Sequence, residues 1–159
     1  MIIKEIYKHI HSFNSSVELL EDGALKVEPT SLIEIAKELN SNKKLDFDYL
    51  MCVTSYDIGN SNEYGCAYNF YSNTHKHYVE IRVEINSEEE IPSLTSIWKT
   101  ADWHEREAYD MMGVIFSGHP DMKRILLSDD WEGHPLRKDY KEPDYYRGVP
   151  VPKDKTAWE

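Results

Sequence analysis

Tyr78-Val-Glu-Ile-Arg-Val-Glu-Ile85 is the stretch on which the fold turns. Val79, Ile81, Val83 and Ile85 alternate with Glu80, Arg82 and Glu84, a period of two that belongs to a strand with one face buried and one wet. Two further strand-like stretches precede it, 47–56 and 64–72, rich in Tyr, Val, Phe and Cys and divided by Asn/Gly/Ser and Asn-Thr-His turns. Short turns between successive strands imply an antiparallel run. Further upstream, apolar stretches 17–20 and 25–27 flank Glu21-Asp22-Gly23, a hairpin signal. Ile3, Ile6, Tyr7 and Ile10 recur at helical spacing and predict a helix over 2–12. Leu32, Ile35, Ala36 and Leu39 predict a second, opened by the capping-box pair Ser31 and Glu34 and closed at Asn40. Downstream, Pro92 is expected to open a helical stretch through Leu94, Ile97 and Trp98. Another is expected from Asp102, with Glu105 as its capping partner and Gly113 as its stop.

These elements predict an α+β fold: a two-layer domain over residues 1–113, with a largely antiparallel or mixed sheet of about five strands packed by helices. Regular periodicity ends at Gly113. Five of the seven prolines lie from Pro120 onward, so 114–159 reads as an extended, irregular arm. Its aromatic content (Trp131, Tyr140, Tyr145, Tyr146, Trp158) favours docking over disorder.

With 159 residues the chain has the size of one domain plus an arm, and a formal net charge of −11 argues against nucleic acid or an anionic membrane surface as partner. Cys52 and Cys66 form no Cys-x-x-Cys pair, so neither a zinc site nor an iron–sulfur cluster is expected from this chain. No run is long and apolar enough to span a bilayer, and the charged first residues do not read as a secretory signal. Any membrane association is expected through a partner.

The densest chemistry lies at 105–140. From Asp121 to Tyr140 four bases (Lys123, Arg124, Arg137, Lys138) stand among five acids (Asp121, Asp129, Asp130, Glu132, Asp139), with Gly133, Pro135 and Trp131 between them. Mixed charge around an aromatic anchor is the composition of a specific pairing surface. His104, Glu105, Glu107 and Asp110 could be imagined as a metal or acid–base cluster. Yet no His-Glu-x-x-His pattern exists, and an Arg106–Asp110 pair on a helix packed through Tyr109 and Met112 explains the same residues. His75 and His77 lack the further ligands of a metal site. His119 and His134 each precede proline, which holds the backbone extended and aims the ring. No nucleotide-binding loop or nucleophile–base pair is present.

Trp103-His-Glu-Arg-Glu-Ala-Tyr-Asp-Met-Met-Gly-Val-Ile-Phe-Ser-Gly-His-Pro-Asp-Met-Lys-Arg-Ile-Leu126 and Asp129-Asp-Trp-Glu-Gly-His-Pro-Leu-Arg-Lys-Asp-Tyr140 closely resemble the signature of the C subunit of NADH-quinone oxidoreductase, respiratory complex I. The resemblance covers about a quarter of the chain. It departs at Met112, Lys123, Ser128 and Lys141, where the family favours an aromatic residue, arginine and two prolines, and the chain is short for the family. The resemblance implies a structural subunit of the peripheral arm of a proton-translocating complex, itself without cofactor, with FMN and iron–sulfur clusters in partner subunits that pass electrons from NADH to quinone. It implies docking on the large quinone-site subunit (the D subunit) and on the iron–sulfur B and I subunits, at the cytoplasmic face of the inner membrane. The equivalent scaffold of a membrane-bound hydrogenase or a plastoquinone-type dehydrogenase has the same physics, and a stand-alone metal enzyme is the rival of another class. The residues expected to bind the partner are Arg106, Glu107, Asp110, His119, Pro120, Arg124, Asp130, Trp131, Gly133, His134, Pro135, Arg137, Lys138 and Tyr140. Arg124, Arg137 and Lys138 are expected to meet acidic groups of the neighbour, with Trp131 as the buried anchor.

Overall fold

The alternating stretch becomes the middle strand of a five-stranded sheet. In chain order the computed structural model, which describes residues 3–59 and 62–151, contains α1 (Ile3–Phe13), β1 (Glu18–Leu19), β2 (Leu25–Lys26), a 3-10 turn (Pro29–Ser31) and α2 (Leu32–Ser41). There follow β3 (Tyr49–Asp57), β4 (Glu63–Ser72), β5 (His77–Asn86), β6 (Glu90–Pro92), α3 (Ala101–Met112), β7 (Ile115–Ser117), β8 (Tyr145–Tyr146) and β9 (Val149–Pro150). The sheet order is β1-β2-β5-β4-β3. Its pairs are antiparallel except β2 with β5, so the sheet is mixed and the fold is α+β as predicted.

Register explains the core. Val79, Ile81, Val83 and Ile85 stand opposite Phe70, Tyr68, Cys66 and Tyr64, and all eight are buried. Ile6 and Ile10 of α1, the Leu32/Ile35/Ala36/Leu39 stripe of α2, and Ala101, Ala108 and Met112 of α3 join the same apolar cluster. Each buried Val, Leu, Ile, Phe or Met side chain in it contributes roughly 1.5–3 kcal/mol. The other face of β5 is wet: Arg82 pairs with Glu80 and Asp22, and Lys26 with Glu84.

Three local expectations are corrected. Leu94 to Trp98 makes one turn rather than a helix, in which the Ile97 and Trp98 N–H groups share the Leu94 carbonyl. Pro92 ends β6, and Ser93 and Leu94 are tied to α3 by side-chain bonds, so the segment cannot wind further. Ser31 does not cap α2 through its side chain; it closes the 3-10 turn that leads into the helix. Glu105 is no capping partner either, because its carboxylate points into the core. Just past Gly113, Val114 and Phe116 are buried and β7 pairs in parallel with β6.

Candidate functional site: an arm folded around Asp110

Helix α3 runs from Ala101 to Met112 and stops at Gly113, whose φ of 74° is the left-handed conformation that only glycine adopts without strain. A side chain at 113 would also overlap the Arg137 guanidinium and the His134 ring. The helix end is therefore built for the arm to lie against it. The last carbonyls of a helix lack intrahelical donors, and here each of the last four has one. Tyr109 accepts the Gly113 N–H at 2.7 Å, and Asp110 accepts His134 Nδ1 at 3.0 Å and Arg124 at 3.2 Å. Met111 accepts the Leu136 N–H at 3.0 Å, and Met112 accepts Arg137 Nε at 2.7 Å. Cationic side chains at this end also oppose the negative pole of the helix dipole.

Asp110 is the centre of the arrangement. Its fully buried carboxylate accepts the N–H groups of Ile125, Leu126 and Leu127 at 3.0, 2.7 and 2.8 Å, and Arg124 Nη1 at 2.6 Å. Burial pushes its carboxyl up, but the three loop amides and the guanidinium outweigh this and hold it below its ordinary value. Arg124 donates through Nη2 to the carbonyls of Trp131 and Gly133, each at 2.9 Å, so one side chain fixes the helix, the 124–127 turn and the 131–133 turn. Arg106 reaches the Lys123 and Arg124 carbonyls, both at 3.1 Å, in place of the expected pair with Asp110.

The remaining expected residues lie along the arm and on α3. His134 packs edge-on against Tyr109, and burial, with Arg137 and Arg124 nearby, pushes its pKa down. Arg137 lies 4.7 Å from the centre of the Tyr64 ring, and the Lys138 N–H bonds Asp57 at 2.9 Å, which joins the arm to the sheet. Farther out, Trp131 donates to the Tyr140 hydroxyl at 3.2 Å and packs on Tyr146, while Asp130 holds Arg147 at 2.8 Å and is pushed down to about 2 chiefly by that bond. Gly133, with φ of 79°, lets the Tyr140 ring approach. His119 has a buried ring that bonds the Asp102 carbonyl at 3.1 Å and accepts the Asp121 N–H; Pro120 beside it is exposed, and Pro135 is half-buried. Glu107 is exposed and makes no hydrogen bond or ion pair among the described residues. Arg124 and Arg137 thus meet backbone carbonyls and an acid of their own chain, and Trp131 anchors the arm to itself.

Sequence reasoning passed over Tyr64, Asp57 and Arg147, none of which carried a local signal linking it to the block. It also misplaced Glu105. That side chain is wholly buried, accepts Ser93 Oγ at 2.6 Å and the Leu94 N–H at 2.8 Å, and burial raises it from 4.5 to about 7. Among the described residues no three His, Cys, Asp or Glu side chains converge as metal ligands. His75 and His77 instead bond the Lys43 and Leu45 carbonyls.

The model of the family described as "Respiratory-chain NADH dehydrogenase, 30 Kd subunit" matches residues 25–146, from β2 through β8 and so through the whole Asp110 arrangement. The chain belongs to this family. As a member of the 30 kDa-subunit family it is 51% identical over 120 residues to the NADH-quinone oxidoreductase C subunit of Chloroherpeton thalassium, covering 74% of this chain and 50% of that one. The C subunit of Chlorobium phaeobacteroides is 45% identical over 121 residues, with 75% and 73% covered. The NAD(P)H-quinone oxidoreductase J subunit of Prochlorococcus marinus is 41% identical over 130 residues, with 77% and 73% covered. The chain spans about half the length of the Chloroherpeton relative. The family fold recurs in a chain of the membrane-bound sulfane sulfur reductase, an archaeal respiratory membrane complex, with a TM-score of 0.70, 23% identity, and 87% of this chain and 85% of that one covered.

Proposed function

We propose that this chain is a non-catalytic, cofactor-free subunit of the peripheral arm of an NADH-quinone oxidoreductase. It docks on the large quinone-site subunit (the D subunit) and on the iron–sulfur B and I subunits, while FMN and iron–sulfur clusters in partner subunits carry electrons from NADH to quinone. The observation that carries this reading is the family match across residues 25–146, which takes in the Asp110 arrangement and the arm as far as Tyr146. Among the described residues no helix is long and apolar enough to cross a membrane, which fits a peripheral place at the cytoplasmic face of the inner membrane, reached through the complex. The likeness to a J subunit as well as to C subunits supports a second reading, the same scaffold in a plastoquinone-type or otherwise related complex with a different electron donor. Purification of the tagged chain from detergent-solubilised membranes, with mass spectrometry of what accompanies it, tests the proposal. Recovery of the large quinone-site subunit together with flavin-bearing subunits is expected. Recovery of no membrane complex would overturn it.

A further inference from the structure

Arg124 and Arg137 are bonded to groups of their own chain, whereas a set of exposed side chains on another face has no such partners among the described residues. We infer that the face shared by edge strand β3, helix α3 and Leu136 is a docking surface for a neighbouring subunit, which presents there an apolar segment carrying one Lys or Arg. This rests on the proposed function. β3 is bonded in the sheet only to β4, and it exposes Tyr49 and Met51 along its path. Thr100, just before α3, donates to the Leu50 carbonyl at 3.3 Å and so sets the helix start beside these two residues. Trp103, Glu107 and Met111 recur every fourth residue and form one stripe on α3. Trp103 is 69% exposed, with Met51 and Leu136 also exposed on this face. Leu136, 62% exposed, is placed at the end of the stripe by its N–H bond to Met111.

Between strand and helix runs a groove of about 200 Å³, lined among others by Cys52, Thr54, His104, Glu107, Met111 and Leu136, with no Lys or Arg in its lining. Glu107 is an exposed carboxylate in this groove of mixed polar and apolar lining, without a partner among the described residues. An exposed Trp is the kind of side chain that anchors an interface, and the Glu107 carboxylate beside it, in a chain of net charge −11, is complementary to a basic occupant.

The test uses the tagged full chain purified from solubilised membranes, with the amount of co-purifying complex read for each variant. Trp103→Ala is expected to lower recovery roughly tenfold or more, and Glu107→Lys to lower it further than Glu107→Gln. Phe13→Ala, on the exposed side of α1, is expected to match the original chain. Melting temperatures of the isolated variants, expected unchanged because both side chains are exposed, separate docking from folding. Full recovery with Trp103→Ala and Glu107→Lys would overturn the inference and leave the proposed function standing. Failure of the unaltered chain to recover any complex would overturn both. A dimer of the purified chain that Trp103→Ala dissociates would show a second copy as the occupant and refute a basic neighbour.

Discussion

Glu105 and Asp110 stand on the same helix, both without exposed surface, and their surroundings drive them in opposite directions. Asp110 has a guanidinium and three amides, so folding favours its charged form; that stability is present above the ordinary carboxylate range and is lost as pH falls through its depressed value. Glu105 has two neutral donors, buried Cys66 and Tyr68 from β4 as neighbours, and the Asp102 carboxylate one turn earlier. Folding therefore favours its neutral form. Its contribution is complete below about 4.5 and declines as pH rises to about 7, beyond which the cost is constant. At about 1.4 kcal/mol per pH unit this gap corresponds to about 3 kcal/mol. Glu105→Gln keeps an acceptor for the Leu94 N–H and removes the titration. Urea unfolding from pH 5 to pH 8 should show the original chain losing stability relative to the variant by an amount of that order. A constant difference across the range would show that Glu105 does not titrate there.

At the level of elements, the end of α3 and the 124–138 segment form one unit. Helix carbonyls that would otherwise lack donors receive them from His134, Leu136 and Arg137, and the turn at 125–127 closes on the Asp110 carboxylate. Asp110→Asn leaves Arg124 facing an amide and weakens three charge-assisted bonds at once. Removing one member of a buried ion pair typically costs about 3–5 kcal/mol, and a loss near the lower bound is expected because the amide oxygen still accepts. Thermal unfolding should register the loss, and limited proteolysis should cut first between 118 and 133. Stability within about 1 kcal/mol of the original, with an uncut arm, would mean that the loop is held by other contacts. The block's residue types were legible in the sequence; their acceptors were not. A guanidinium is visible in a sequence, but a main-chain carbonyl exposed by a helix end is visible only once the end is placed in space.

Across the whole molecule, elements with strong local periods were legible: α1, α2, α3 with its Gly113 stop, and the three long strands of the sheet. The parallel join of β2 to β5 was not, because Leu25 and Ile81 meet through a sequence separation that leaves no local pattern. Nor was the failure of Leu94–Trp98 to become a helix, since its apolar spacing is helical while Ser93 and Leu94 are held by Glu105, more than ten residues away. The arm's path was half legible. Gly133 and the His-Pro pairs announced an irregular chain, and only the structure shows that it folds back on its own domain through Tyr64, Asp57 and Asp110. A subunit whose arm is anchored in this way offers a neighbour a surface that is already ordered. The function proposed for it, as part of an electron-transferring complex, is tested most directly in membranes from cells that lack this chain. NADH-driven quinone reduction is expected to fall to background and to return when the chain is supplied again, whereas undiminished activity without it would contradict the account.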